Sequence, residues 1–287
     1  MRAYAILPYT YGSGTAKGNL IKLANHARAI ERVMQRHNIK GGTILVNSSA
    51  PEYYNLSTAA AKTSSSLVED IPGMPGIENV GYNRFLGLKH AFEIKKADVA
   101  VVQNADGHHR PEAIPEFAMQ LTQRSADLAV GVRPSFVELG ELLLKAQLGP
   151  EVTASRMIAM EFGLRDIQME TDGTHDLLSG CSAFSRQGWN NFLTRVRPYL
   201  PEGDILGMPA QFDLGVPALF HSFGLRVIPV KIEVRSRIDH LPAEEVDRMN
   251  GDPKLWAQRK GVIQDATAVI DLVNAAIASA RAAGAIS

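Results

Sequence analysis

Residues 99–117 read VAVVQNADGHHRPEAIPEF, and this stretch predicts a buried strand, a polar turn and a helix in succession. The run Val-Ala-Val-Val favours a strand over residues 98–103. The Pro-Glu pair that follows the turn is typical of a first helical turn, so we expect a helix over residues 111–124. Asn104 and Asp106 stand where the strand ends. A strand that leads into a helix in this way is one unit of an α/β fold.

The same alternation continues on both sides of this stretch. Further strands are predicted at residues 4–8, 43–46 and Leu128–Val132, and further helices at residues 19–37 and 82–96. The pattern predicts an α/β fold with a mixed, mainly parallel sheet flanked by helices. In such sheets ligands bind at the carboxyl ends of the strands.

The rest of the chain extends this pattern. Residues 51–75 are polar and favour a partly helical or mobile crossing segment. We predict helices at residues 136–162 and 212–223, strands at residues 178–185 and 225–234, and one long C-terminal helix from residue 252 to the end. Because no repeat or linker divides the chain, we expect a single domain over residues 1–287.

Composition excludes some classes of partner. The chain has 287 residues, of which 45% are hydrophobic and 21% are charged, and 30 basic side chains balance 30 acidic ones. This balance leaves no electrostatic footprint for nucleic acid. Cys181 is the single cysteine, so an intramolecular disulfide is impossible.

The location and assembly of the chain are also expectations from sequence. The N-terminal residues lack the pattern of a signal peptide, and no stretch approaches about 18 uninterrupted apolar residues. We therefore expect a cytoplasmic protein without an integral membrane segment. The Ala-rich stretch at residues 266–285 is compatible with packing on its own sheet or in a homo-oligomer.

The polar pair after the 98–103 strand suggests a metal site. Asn104 and Asp106 are two positions apart, so on an extended strand end their side chains point to the same side. Amide and carboxylate oxygens suit Mg²⁺ or Mn²⁺, which share their other positions with phosphates. The alternative is a polar strand-to-helix turn that binds nothing.

Residues 104–117, NADGHHRPEAIPEF, resemble the DADGQHPPEDIPEL-type stretch of glycosyltransferase family two and its GT-A relatives. The segments GYNRFLGLKHAFEIKKAD (81–98), GVR (131–133) and LLSGCSAFSRQGW (177–189) resemble family segments in the same order. The resemblance implies a GT-A fold and a divalent metal that bridges the diphosphate of a nucleotide sugar. It makes Asp106 the central catalytic and metal residue, with Asn104 in place of a first aspartate. It also implies a nucleotide-binding half (1–106), an acceptor half (107–240) and a C-terminal helical extension (241–287).

Residues 212–240 resemble the mannosylglycerate-synthase-like retaining enzymes. The resemblance implies a catalytic role for Asp213 and a metal-ligand role for His240. The alternatives are a helix N-cap for Asp213 and a surface histidine for His240.

The same resemblance implies which residues contact the donor and acceptor substrates. For each of them the alternative is a structural role without ligand contact. For Arg84 that alternative is a solvated helix face, and for Asp176 it is a polar loop. The predicted donor contacts are Pro8, Tyr9, Thr10, Asn47, Ser48, Arg84, Asn104 and Ala105, and the predicted acceptor contacts are Ser179, Gly180 and Asp176.

Two departures from the family pattern keep other functions open. The loop VNSSAPE (46–52) lacks the usual Asp-Asp-Gly-Ser, and Asn104 removes one charge from the metal site. A non-catalytic nucleotide-sugar-binding protein on the same fold is therefore one alternative. The other is a sugar-phosphate nucleotidyltransferase, because GSGTA (12–16) is similar to the glycine-rich loop of that group.

Overall fold

The fold is built on one sheet in which most strands run parallel. The computed structural model describes residues 1–9, 17–49, 68–75, 79–105, 109–135, 145–168, 173–201, 209–234 and 243–286. In these ranges the strands are β1 (Arg2–Tyr9), β2 (Lys40–Asn47), β3 (Val68–Pro72), β4 (Val99–Gln103), β5 (Leu128–Val132), β6 (Cys181–Ser185) and β7 (Val227–Lys231). They form a seven-stranded sheet in the order β3-β2-β1-β4-β6-β5-β7.

Strand β6 alone among these runs against its neighbours. It pairs antiparallel with β4 and β5, whereas the pairs β1–β2, β1–β4, β2–β3 and β5–β7 are parallel. The prediction of a mixed, mainly parallel sheet is therefore confirmed. The β4–β6 pairing also joins strands from both predicted halves in one sheet, and the division into halves stays a prediction.

Helices cover both faces of this sheet. The described helices are α1 (Lys17–Arg36), α2 (Val80–Lys89), α3 (Ala113–Gln123), α4 (Lys145–Phe162), α5 (Arg186–Asn191), α6 (Pro209–Ser222), α7 (Ala243–Asn250) and α8 (Pro253–Ala282). Helix α2 continues into a π-helical turn, His90–Ile94, and α5 into another, Phe192–Val196. Because both faces are covered, β4 and β5 are buried at every position and are almost entirely apolar in sequence.

Successive side chains along β1 point to opposite faces of the sheet, and the core accordingly has two layers. Leu7 belongs to the layer that also holds Ile30 of α1 and Phe117 of α3. Ile6, its neighbour, points to the opposite face and belongs to the layer with Leu88 of α2. Each face of the sheet is thus closed by its own group of helices.

The C-terminal helix α8 packs on α4 and α6. Its buried residues recur at intervals of three and four, which places them on one helix face: Ala266, Val269, Val273, Ala276 and Ala280. By length and composition the helix is also apolar enough to cross a membrane. Core helices of soluble proteins pass the same test, so the absence of a membrane segment stays a prediction.

The structure corrects several predicted element boundaries. Strand β3 lies in the region predicted as a partly helical or mobile crossing segment, where no strand was predicted. Strand β6 begins at Cys181 and not at residue 178, because Gly180 has a φ of 72° and turns the chain. Helix α6 begins at Pro209, three residues earlier than predicted. The short helix α7 precedes α8 and was not predicted.

Gly87 provides a test of the packing between α2 and the sheet. A Cβ atom there would collide with Cγ2 of Ile6 and lie 3.1 Å from Cγ2 of Val46, whereas a Cβ at Gly261 of α8 would meet nothing within 4 Å. We expect Gly87→Ala to lower the free energy of unfolding by about 1–3 kcal/mol through overpacking. We expect Gly261→Ala to raise it by up to about 1 kcal/mol through helix propensity. Urea denaturation of both variants measures the difference, and equal effects would show that α2 does not pack this closely.

Candidate functional site

The site lies where the carboxyl ends of β1, β2 and β4 meet. Tyr9 at the end of β1 is in register with Asn47 at the end of β2, and β4 pairs with the other side of β1. The strand order therefore changes direction between β1 and β4, because β2 and β3 follow β1 on one side and β4 lies on the other. A crevice forms at such a switch point, and it is the usual ligand site of an open α/β sheet.

A hydrogen-bonded cluster joins the ends of β1, β2 and β3. The hydroxyl of Tyr9 donates to Oδ1 of Asp70 at 3.1 Å, and Nδ2 of Asn47 donates to Oδ2 of the same carboxylate at 3.3 Å. Both the backbone N–H and the hydroxyl of Ser48 donate to the carbonyl of Tyr9. Three of the predicted donor contacts, Tyr9, Asn47 and Ser48, are thus brought together, with Pro8 directly before Tyr9.

Asp70 is a site residue that sequence reasoning missed. It lies on β3, a strand that carries only Val68 and Ile71 as apolar signals. The loop after β2 lacks the Asp-Asp-Gly-Ser pattern of the family. The structure instead supplies a carboxylate from the neighbouring strand, beside Asn47. The predicted contact Thr10 lies outside the described residues.

A buried ion pair between α2 and α6 contacts the end of β4. The Arg84 guanidinium donates from Nη1 to Oδ1 of Asp213 at 2.7 Å and from Nη2 to Oδ1 of Asn104 at 3.0 Å. Arg84 is only 1% exposed, and its guanidinium also lies 5.0 Å from the centre of the Phe212 ring. Burial raises the pKa of Asp213 above its ordinary value, against the opposing effect of the Arg84 charge.

This ion pair corrects two of the structural alternatives. The alternative of a solvated helix face for Arg84 is wrong, because the side chain points from α2 into the interior. The alternative of a helix N-cap for Asp213 is also wrong, because α6 begins four residues earlier, at Pro209. A buried charge is tolerated only where a partner offsets its lost hydration, so the two residues are mutually dependent.

The predicted metal ligands are only partly described. Asp106 and His240 lie outside the described residues. Asn104 is described, and its side-chain oxygen, which a metal would need, accepts the hydrogen bond from Arg84. Within the described ranges no three acidic, histidine or cysteine side chains form a group that would hold a metal. The described residues therefore do not by themselves make up a cation site, and the metal stays a prediction.

His109 holds the predicted acceptor segment against the sheet. Its Nε2 lies 2.7 Å from the carbonyl oxygen of Ser179, and since a carbonyl only accepts, Nε2 carries the proton. His109 also forms an antiparallel bridge with Val234, just beyond β7. The ring is 2% exposed, so this histidine joins three segments inside the protein. No role was predicted for it from the sequence.

Gly180 brings the acceptor segment next to β4. A Cβ atom at this position would collide with Nδ2 of Asn104 and lie 3.2 Å from its Oδ1. Only glycine combines this close approach with the positive φ of residue 180. The predicted acceptor contacts Ser179 and Gly180 therefore lie beside the predicted donor contacts Asn104 and Ala105.

A second buried arginine lies beyond the end of β5. Arg133 donates to Asp176 from its backbone N–H, Nε and Nη2, at 2.8, 3.0 and 2.8 Å. Its Nη1 donates to Glu151 at 3.0 Å, and Gln147 donates to the other oxygen of Glu151 at 2.9 Å. Burial opposes the charge, but the two carboxylates outweigh it and raise the pKa of Arg133 above its ordinary value. Both oxygens of Asp176 are engaged, so these contacts favour a positioning role, and direct contact with an acceptor stays a prediction.

Comparison with known proteins identifies the fold and no closer relationship. No protein-family model and no curated protein matches the chain. Mannosyl-3-phosphoglycerate synthase from Rubrobacter xylanophilus matches with a TM-score of 0.50 and 11% identity, over 90% of this chain and 72% of that one. At this identity the match shows the fold alone, so the prediction of a GT-A-like fold is confirmed.

Two further solved structures match less closely. The 4-diphosphocytidyl-2C-methyl-D-erythritol synthase from Anaerococcus prevotii has a TM-score of 0.45 and 14% identity, over 86% of this chain and 96% of that one. A protein described as a nucleotide-diphospho-sugar transferase, from Desulfovibrio desulfuricans, has a TM-score of 0.41 and 12% identity, over 94% of this chain and 96% of that one. These lower scores add nothing to the conclusion about the fold.

The Arg133 network predicts unequal effects for its two carboxylates. Asp176→Asn replaces one acceptor oxygen with an amide nitrogen, which then faces at least one of the three N–H donors of Arg133. The buried guanidinium also loses its main counter-charge. We expect this change to lower the free energy of unfolding by about 3 kcal/mol. Glu151→Gln keeps an oxygen for Arg133 and leaves a neutral Arg133–Asp176 pair, and a flip of the Gln147 amide gives the new N–H₂ group an acceptor. We therefore expect a loss of less than about 1 kcal/mol. Chemical denaturation of both variants compares them, and the reverse order would contradict the geometry.

Proposed function

We propose that this chain is a glycosyltransferase that moves a sugar from a nucleoside-diphosphate sugar to a small-molecule, glycan or peripheral acceptor. The observation that carries the proposal is the meeting of Asn104, at the end of β4, with the Ser179–Gly180 turn at the switch point of a GT-A-like sheet. A donor held at the strand end would present its sugar directly to the turn. Both substrates would then react in one crevice.

The nucleoside end of the donor is assigned to the β1–β3 side of this crevice. Tyr9, Asn47 and Ser48 offer an aromatic ring, an amide and a hydroxyl at the strand ends, and Pro8 and Thr10 extend this side in sequence. Asp70 adds a carboxylate, which suits the hydroxyl groups of a ribose or the N–H groups of a base. Tyr9, Asn47 and Ser48 are buried, and the contacts among them support a preformed arrangement of the strand ends on which the nucleoside would lie.

The diphosphate is assigned to the end of β4, at Asn104 and Ala105. Arg84 bridges Asp213 and Asn104, and its charge is balanced by the Asp213 carboxylate. Because Asp213 is bound to Arg84, we assign it a positioning role through that guanidinium, and direct catalysis by Asp213 stays a prediction. Preorganised dipoles, such as an amide held in one orientation, stabilise a leaving diphosphate.

A divalent cation, Mg²⁺ or Mn²⁺, is part of the proposal through Asp106 and His240. When bound, such an ion offsets the charge of the leaving diphosphate. The bridge between His109 and Val234 supports this pairing of residues. His109 comes three residues after Asp106, and Val234 comes six residues before His240, so the described ends of both segments lie side by side.

The setting of this reaction is also proposed. A cytoplasmic location and a small or peripheral acceptor are part of the proposal. A homo-oligomer remains a prediction, because α8 packs on α4 and α6 of its own chain and its other face is rich in small and polar residues.

A ligand screen tests the proposal. We expect one class of UDP-, GDP- or ADP-sugar to raise the melting temperature in the presence of Mn²⁺ or Mg²⁺. A ligand that binds only the native state at a hundred times its Kd adds about 2.7 kcal/mol of stability. We expect Asp106→Asn to remove most of the metal-dependent part of this shift. Asp271→Asn, the same change on the exposed face of α8, should retain it.

The other outcomes separate the alternative functions. A shift with nucleoside triphosphates and sugar phosphates, together with release of pyrophosphate, would identify a nucleotidyltransferase. Binding of a nucleotide sugar without transfer or hydrolysis under any metal would identify a non-catalytic binding protein. No shift with any of these ligands would rule out the donor site.

A further inference from the structure

We propose that Asn104 faces the bound diphosphate as a hydrogen-bond donor and does not act as a metal ligand. The inference rests on the proposed function, because it concerns the same diphosphate. It reverses the role that the sequence pattern suggested for this side chain. It follows from the orientation of one amide group.

Arg84 sets that orientation. A guanidinium has only donors, so the atom of the Asn104 amide that faces it at 3.0 Å is the oxygen. Arg84 is itself held by the carboxylate of Asp213 at 2.7 Å and by the face of Phe212. A flipped amide would place its N–H₂ group against a buried cation. The orientation is therefore fixed from below by a buried ion pair.

The same constraint turns the amide nitrogen of Asn104 away from Arg84. Nδ2 is the Asn104 atom nearest to the position that a Cβ of residue 180 would take, and Asn104 as a whole is partly exposed. Among the described residues no acceptor bonds to Nδ2, and this atom is not fully enclosed. An amide N–H₂ group binds the oxygen of a phosphate and cannot bind a cation.

The side-chain oxygen of Asn104 does not suit a divalent cation in this arrangement. One of its lone pairs already accepts from a positively charged group. A metal at the usual distance of about 2.0–2.4 Å from this oxygen would lie close to the guanidinium and be repelled by it. Any cation at this site would therefore be held by groups other than Asn104.

Calorimetric titration with UDP, GDP and ADP in EDTA tests the donor role. We expect the wild-type protein to bind at least one of these nucleotides without metal. Asn104→Asp is isosteric and keeps an oxygen for Arg84, but it replaces the N–H₂ group with a repelling oxygen. We expect it to weaken binding in EDTA at least tenfold, as for the loss of a hydrogen bond to a charged group. Asn274→Asp, the same change on the exposed face of α8, should leave the affinity unchanged.

Electron paramagnetic resonance of free Mn²⁺ tests the metal role without any nucleotide. We expect the Mn²⁺ affinity of Asn104→Ala to lie within twofold of that of the wild-type protein. If the wild-type protein binds no free Mn²⁺, we expect the variant to bind none either. A tenfold loss of Mn²⁺ affinity, or wild-type nucleotide affinity in Asn104→Asp without metal, would overturn the inference. The inference would also be overturned if the wild-type protein bound the nucleotide only in the presence of a metal. If the wild-type protein bound no nucleotide with or without metal, the proposed function itself would fail.

Discussion

The arrangement of the site depends on the burial of one positive charge, that of Arg84. A guanidinium that is 1% exposed needs a counter-charge and acceptors, since its hydration is lost on folding. Asp213 supplies the counter-charge from α6, and Asn104 supplies an acceptor from the end of β4. Three elements that are distant in the chain are thereby held in one geometry, and the amide of Asn104 has only one orientation that fits.

Polar anchors of the same kind support the acceptor side. Arg133, just after β5, forms hydrogen bonds with Asp176 and with Glu151 of α4. His109, on the chain after β4, forms a hydrogen bond with the carbonyl oxygen of Ser179. These contacts hold the Ser179–Gly180 turn from two directions. Since its anchors are buried, the turn is positioned before any ligand arrives, which reduces the entropy cost of bringing two substrates together.

Much of the fold could be predicted from the sequence, because buried parallel strands leave long apolar signals. Strands β1, β4 and β5 are runs of apolar residues, and α1 carries its apolar positions at helical spacing. Strand β3 was missed, since it lies at the sheet edge with Glu69 and Asp70 between its only two apolar residues. Asp70, the carboxylate beside Tyr9 and Asn47, was missed for the same reason.

The sequence by itself determined the alternation of strands and helices and the strand–turn–helix unit that ends at Asn104. These are local properties, decided by apolar spacing and turn residues within a few positions. Only the tertiary structure decided which way Asn104 points, because its partner Arg84 lies 20 positions away and the counter-charge of Arg84 lies 129 positions further on. That meeting depends on the order of strands in the sheet, since the sheet brings α2, β4 and α6 together. The role of a polar side chain in a site depends on its hydrogen-bond partners. The spacing of apolar residues along the chain does not identify those partners.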